Sequence, residues 1–177
     1  MNKETLLKHL RNIPDFPKPG IQFKDVSTLF KDSGCLNYIA DTFYEYYKDK
    51  GITKVVGIES RGFVMGAILA YRLGAGFVMC RKPGKLPAET IQETFRKEYG
   101  TDTIEMHKDA LSTEDVVLIH DDLLATGGSA RAAYDLVSKF NPKSVSMNFI
   151  IELLGEGLHG RDVFGKNTDV YSLLVID

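Results

Sequence analysis

The sequence is poor in cysteine, has no surplus of positive charge and contains no long apolar run, and each shortage removes a class of protein. Its two cysteines, Cys35 and Cys80, lie far apart and show no metal-ligand spacing. That leaves out a disulfide scaffold and fits two plain thiols in a reducing compartment. The formal net charge is −2, so no overall basic field directs the chain to nucleic acid. No segment approaches a membrane span, and residues 1–15 are charged and polar, without the apolar stretch of a secretion signal. The expectation is a cytoplasmic chain with neither nucleic acid nor membrane as partner. No Walker Gly-Lys-Ser/Thr occurs, which argues against a P-loop enzyme; a Rossmann dinucleotide enzyme is disfavoured as well.

What is present reads as one domain over 1–177, with 44% hydrophobic and 26% charged residues and length enough for a sizeable core. Strand-like runs at 54–58, 76–80, 116–119, 144–151 and 170–175 alternate with helical stripes. This predicts an α/β fold with a doubly wound, mainly parallel five-stranded sheet flanked by helices. Helices are expected over 4–11, along Leu36, Ile39, Ala40, Phe43 and Tyr47, and over 63–73 and 130–140, with a short helix or turn at 156–164. The 63–73 segment is apolar nearly all round and is therefore expected to be buried.

Two segments stand outside the alternation. Residues 1–34 contain Pro14, Pro17, Pro19 and Gly20 and read as an ordered arm in which Phe16, Ile21 and Phe23 need cover. The arm either wraps the core or forms a hood carrying Phe23 as a stacking platform. Residues 86–107 alternate loosely around Gly100-Thr101-Asp102, the pattern of a hairpin with a polar tip.

The densest chemistry lies at 116–129. Four apolar residues lead to Asp121 and Asp122, where so apolar a strand should end, and then to Ala125-Thr126-Gly127-Gly128-Ser129 at the head of a helix. A Gly-rich turn opening a helix offers backbone N–H groups, hydroxyls and the positive end of the helix dipole to a phosphate. The carboxylates suit sugar hydroxyls or, through water, Mg²⁺. Glu59-Ser60-Arg61-Gly62 follows the first core strand, and Arg81, Lys82 and Lys85 follow the second. Ligands of such sheets bind beyond the carboxyl ends of the strands. Together the segments describe a cleft with two phosphate-binding ends and a ribose between them.

The run 117–130 resembles the phosphoribosyl-diphosphate signature of the type I phosphoribosyltransferases, and Leu-Leu-Ala-Thr-Gly-Gly at 123–128 is similar to that of its adenine-using members. Residues 12–21 (Asn-Ile-Pro-Asp-Phe-Pro-Lys-Pro-Gly-Ile), 57–63 (Gly-Ile-Glu-Ser-Arg-Gly-Phe), 81–87 (Arg-Lys-Pro-Gly-Lys-Leu-Pro) and 98–100 (Glu-Tyr-Gly) extend the likeness over nearly the whole chain. The resemblance implies transfer of phosphoribosyl from 5-phospho-α-D-ribose 1-diphosphate to adenine N9, giving AMP and diphosphate, with Mg²⁺ held through the substrate and a homodimeric assembly. Asp121 and Asp122 would bind the ribose hydroxyls, and Ala125, Thr126, Gly127, Gly128 and Ser129 the 5′-phosphate. Glu59, Ser60 and Arg61 would form the diphosphate loop, where this family often holds a non-proline cis peptide. Arg81, Lys82 and Lys85 would neutralise the diphosphate, with Arg81 acting within its own subunit or across a dimer interface. Phe23 and Leu123 would sandwich adenine, backbone near Ile21 would read its edge, and Glu98, with Tyr99 beside it, would be the acid–base group of a flexible lid.

Departures from the family pattern are His120, read as a satisfied core histidine, Ser129 for Thr, Lys24 for Arg, Phe95 for Tyr, Lys97 for Leu and Gln22 for a small apolar residue. Two rival readings share the fold: an oxopurine phosphoribosyltransferase and a non-catalytic nucleotide sensor.

Overall fold

Asn2 starts the first helix by accepting a hydrogen bond from the Thr5 backbone N–H at 2.9 Å, an ordinary N-cap. The computed structural model describes residues 1–96, 100–155 and 157–177, and these fall into two units, Met1–Glu45 and Tyr46–Asp177. In the first, helix α1 (Lys3–His9) is followed by strands β1 (Arg11–Pro14) and β2 (Gln22–Asp25), paired antiparallel. The helix expected to reach Arg11 stops at His9. Arg11 instead opens β1 opposite Asp25, with its Nη2 2.5 Å from the carboxylate. The Phe16–Pro17 peptide is cis.

Phe16 packs edge-on against Phe23 at 5.2 Å, yet Phe16 and Ile21 stay 49% and 43% exposed. The expectation that both are covered fails because a two-stranded ribbon of four-residue strands has little surface to offer them. Two family departures meet here: Asn12 donates to Gln22 at 2.7 Å and accepts from Lys24 Nζ at 3.0 Å. Helix α2 (Ser27–Phe30) follows, and α3 (Ser33–Tyr47) runs from this unit into the next.

The second unit holds the five-stranded sheet. Strands β3 (Lys54–Ile58) and β4 (Gly76–Cys80) have the expected bounds and are joined through helix α4 (Gly62–Leu73). Strands β5 (Thr90–Arg96) and β6 (Thr101–His107) form the separate antiparallel hairpin. Then come β7 (Val116–Leu124), α5 (Gly128–Ser138), β8 (Ser144–Leu153), a 3-10 turn at Gly160–Val163, and β9 (Val170–Ile176). The order is β4-β3-β7-β8-β9, parallel throughout. Val56, Ile58, Val117 and Ile119 share a core with Ala133, Leu136 and Val137 of α5. Gly57, on the alternate face, lies against Gly66 of α4. The two helices thus cover opposite faces, which is why β3 is buried almost end to end.

Two expectations are corrected. Helix α4 buries Met65, Leu69 and Ala70 but leaves Val64 and Tyr71 at 42% and 87% exposure. It packs on the sheet with one side only, so an all-round apolar sequence does not make it an interior helix. Strand β7 does not end before the carboxylates. It pairs with β8 as far as Leu124↔Glu152, so Asp121 and Asp122 are strand residues. Arg61 makes that burial tolerable.

Candidate active site

In this strand order the chain turns one way after β3 and the other way after β7, so the switch point lies between them, where ligands of open α/β sheets bind. Glu59, Ser60, Arg61 and Lys82 line one cavity of about 270 Å³ with Asp121, Asp122 and Ser129. An adjoining space of about 230 Å³ is bounded by Arg61 and by residues 121–130, which include Leu123, Ala125, Thr126, Gly127 and Gly128. The two cavities share Arg61, both carboxylates and Ser129. The Glu59–Ser60 peptide is cis.

The electrostatics of the site are a set of ion pairs. Arg61 Nε donates to Asp122 Oδ2 at 2.5 Å, and the Asp122 side chain is only 4% exposed. Arg81 grips Glu59 through Nε at 3.0 Å and Nη2 at 3.3 Å, while the Lys82 backbone N–H donates to the same carboxylate at 3.0 Å. The Arg81 contact holds the Glu59 carboxyl below its ordinary range. Lys82 Nζ is bonded to Asp102 of the hairpin. Burial, with the Asp122 charge adding to it, raises the Asp121 carboxyl well above the usual carboxylate range. Burial also pushes the Cys80 thiol up to about 12, so Cys80 is an inert wall.

His120 lies in the core and not among the residues that line the cavity. It is fully buried, its Nδ1 lies 2.6 Å from Asn148 Oδ1, and burial pushes it down to about 4, so the ring is neutral near pH 7. The basic loop is organised by a residue the sequence did not single out. Glu105, 2% exposed, accepts from Gly84 N–H at 3.1 Å, Thr90 Oγ1 at 3.2 Å and Gln92 Nε2 at 3.1 Å. Its backbone exchanges both hydrogen bonds with Arg81 at 2.8 and 2.9 Å. Arg81 also donates to the Lys85 carbonyl at 3.3 Å, so the side chain of Arg81 is turned to its own loop. Phe23 and Ile21 belong to the N-terminal unit. Glu98 and Tyr99, and the departure at Lys97, lie outside the described residues.

Gly155, Gly157 and Gly160 have Gly-x-Gly-x-x-Gly spacing after β8, a pattern easily taken for a dinucleotide fingerprint. The segment leads into the 3-10 turn instead of a helix, so it lacks the helix N-terminus that a pyrophosphate requires.

The carboxylate pair and the glycine-rich loop at the switch point lie within residues 25–162, which match the Phosphoribosyl transferase domain family. The adenine phosphoribosyltransferase of Bacteroides thetaiotaomicron is 63% identical over 99% of both chains. The crystal structure of the Rhodothermus marinus adenine phosphoribosyltransferase superposes with a TM-score of 0.90 at 48% identity, covering 97% of each chain. That of the Giardia lamblia enzyme complexed with 9-deazaadenine gives 0.92 at 43% identity, covering 99% of this chain and 98% of that one. The chain belongs to the adenine phosphoribosyltransferases of the type I family.

Proposed function

We propose that the switch-point cleft binds 5-phospho-α-D-ribose 1-diphosphate, with the 5′-phosphate on Ala125–Ser129 and the ribose hydroxyls on Asp121 and Asp122. The diphosphate lies toward Glu59–Arg61, Lys82, Arg81 and Lys85. The activity is adenine phosphoribosyl transfer, a purine-salvage reaction. The C1′–diphosphate bond breaks, the C1′–N9 bond forms, and N9 loses its proton. The observation carrying this reading is that Glu59, Ser60 and Arg61 line one cavity with Asp121, Asp122 and Ser129, which are distant from them in sequence.

No protein nucleophile is needed, because adenine attacks. The protein's task is to hold charge where the leaving diphosphate develops it. The cations are positioned by the carboxylates they already grip, Arg61 by Asp122, Arg81 by Glu59 and Lys82 by Asp102. The substrate then competes for groups fixed in place. Two crowded carboxylates, one of them with a raised affinity for protons, fit a divalent cation. Mg²⁺ would be held through the substrate, with Asp121 and Asp122 behind water, and would supply charge for the departing diphosphate.

Phe23 and the backbone at Ile21 are assigned to adenine, as is Leu123. Glu98 is assigned to the purine proton, with Tyr99 beside it in the lid. Residues 1–34 are assigned to the base and the 86–107 hairpin to excluding water. The two cysteines are buried and free of disulfides, in keeping with a reducing, cytoplasmic setting. No described helix is long and apolar enough to cross a membrane.

The exposed apolar side chains of α4 and β4, Val64, Tyr71 and Met79 at 42, 87 and 43%, support a homodimer formed on that face. Sedimentation velocity of Met79→Glu tests this: a monomer is expected, and an unchanged mass excludes that face. The reaction is tested by AMP and diphosphate formation over a panel of purine bases. Adenine should be preferred, and Glu98→Gln should lower the rate about 10²–10⁴-fold. Preference for guanine would favour the oxopurine reading. Nucleotide binding without turnover would favour the sensor.

A further inference from the structure

The proposed 5′-phosphate loop does not stand alone; it rests on the 3-10 turn at residues 160–163. Gly127, at φ +83°, and Gly160 meet backbone to backbone. A Cβ on Gly127 would lie 2.7 Å from the Gly160 carbonyl oxygen and 2.9 Å from Val163 Cγ2. A Cβ on Gly160 would lie 2.5 Å from the Ala125 carbonyl oxygen and 2.8 Å from Leu124 Cδ1. No other residue type fits either side without moving the loop.

The turn is itself pinned. Arg161 donates to Glu152 through Nε at 2.9 Å and Nη2 at 2.5 Å, and through Nη1 to the Val170 carbonyl at 2.7 Å. Glu152, 4% exposed, is the β8 residue in register with Leu124, the last residue of β7 before the loop. The fork therefore ties the turn to the strand beside the one that launches the loop, and to β9 beyond it. From the helix side, Arg131 Nη1 donates to the Val163 carbonyl at 2.7 Å, and the Arg131 backbone N–H donates to the Gly127 carbonyl at 2.8 Å.

We infer that Arg161 and Gly160 are positioning residues for the 5′-phosphate of the substrate: they fix the backbone N–H groups of residues 125–128 by fixing what lies behind them. Neither needs to touch the ligand. The inference rests on the loop's assignment to the 5′-phosphate. Its weight comes from the sensitivity of such sites to geometry, since a displacement of about 1 Å costs on the order of 10²-fold. A planar bidentate guanidinium holds two strands and a turn at once, which a lysine ammonium cannot do.

The test compares ligands that use the two ends of the cleft separately, ribose 5-phosphate for the loop and inorganic diphosphate for the opposite end, by calorimetric titration. The variants are Arg161→Lys and the paired change Glu152→Gln with Arg161→Gln, which leaves no unpaired buried charge. Both should weaken ribose 5-phosphate by about tenfold or more and leave diphosphate binding within about twofold of the unaltered protein. In turnover, KM for 5-phosphoribosyl 1-diphosphate should rise more than KM for adenine. Guanidinium ion at millimolar concentration should restore part of the ribose 5-phosphate affinity to Arg161→Ala. A fall in melting temperature with both affinities unchanged, or equal losses of both, would overturn the inference. Thr126→Ala with Ser129→Ala checks the underlying reading. If that variant still binds ribose 5-phosphate normally, the loop assignment fails, whatever Arg161 does.

Discussion

Arg61 and Asp122 close the switch point between β3 and β7 with a 2.5 Å charged hydrogen bond, the arginine 48% exposed and the aspartate 4%. The burial is one-sided, so the two partners are not equivalent. Removing the guanidinium strands a carboxylate beside a second one at Asp121. Removing the carboxylate leaves a cation that water can still reach.

Arg61→Gln should therefore destabilise the fold by about 1–3 kcal/mol, less than for a fully buried pair because the guanidinium is half exposed. Asp122→Asn should cost less, and the double variant should recover most of the Arg61→Gln loss. Urea unfolding of the four proteins measures this as a thermodynamic cycle. Simple additivity of the two single losses would show that the pair carries no coupling.

Substrate affinity should rise with pH through the raised titration of Asp121. In the free protein, burial and the Asp122 charge favour the protonated acid. Ribose hydroxyl donors and a divalent cation favour the carboxylate. Binding is then linked to proton release, and the cost of that release disappears as pH climbs past the raised value. For folding alone the sign is opposite, since a raised carboxyl stabilises the fold at low pH and loses that contribution as it ionises. KM for 5-phosphoribosyl 1-diphosphate should fall between acid and neutral pH in the unaltered enzyme and change less in Asp121→Asn. Parallel profiles would assign the pH effect to the substrate's own phosphates.

His120 should make the fold acid-sensitive. Its pKa is pushed from the ordinary 6.5 down to about 4 by burial. The stability it contributes is complete above the unfolded value and is lost as pH falls from 6.5 toward 4. Full protonation of the unfolded chain over that window is worth about 3 kcal/mol. His120→Asn retains a donor for Asn148 and cannot titrate. Its stability should fall less than that of the unaltered protein between pH 7 and pH 4.5. An identical loss would exonerate the histidine.

The sheet was legible because its strands are short apolar runs bounded by glycine and charge. Lys54–Ile58 and Gly76–Cys80 carry that pattern with little ambiguity. The glycine-rich loop that opens α5 was legible because its signal is local, with two glycines and two hydroxyls at a helix start. The ion pairs were not. Arg61 with Asp122, Lys82 with Asp102 and Arg161 with Glu152 each join separate elements, and spacing along the chain has no bearing on them. The length of β7 was missed for the same reason, because Asp121 and Asp122 look like a strand's end until Arg61 is seen facing one of them. The open side of α4 was missed because apolar sequence records what a helix can bury, not what covers it. Gly160, in a fingerprint-like spacing that forms no fingerprint, needed its neighbour Gly127 to acquire meaning.

Glu105 should control the diphosphate end of the cleft without touching a ligand. Its carboxylate gathers Gly84 of the basic loop and Thr90 and Gln92 of the hairpin, and its backbone pairs with Arg81. The cationic loop and the base of the hairpin therefore move as one piece. Glu105→Gln keeps the size of the side chain but replaces an acceptor oxygen with an NH₂ donor, so at least one of the three donors must lose its partner. Gly84 and Gln92 are exposed and Thr90 is half-buried, so water can take up a displaced donor and the loss is that of an ordinary hydrogen bond, about 0.5–1.5 kcal/mol. That cost is relieved if the loop separates from the hairpin, which spreads Arg81, Lys82 and Lys85. Diphosphate affinity and product inhibition should weaken about tenfold, with ribose 5-phosphate binding unaffected, the reverse of the Arg161 pattern. Hydrogen exchange should speed up at residues 81–85 and 90–92 together. Faster exchange in the hairpin alone would show that the loop is held by other contacts and that Glu105 serves only the β5–β6 pairing.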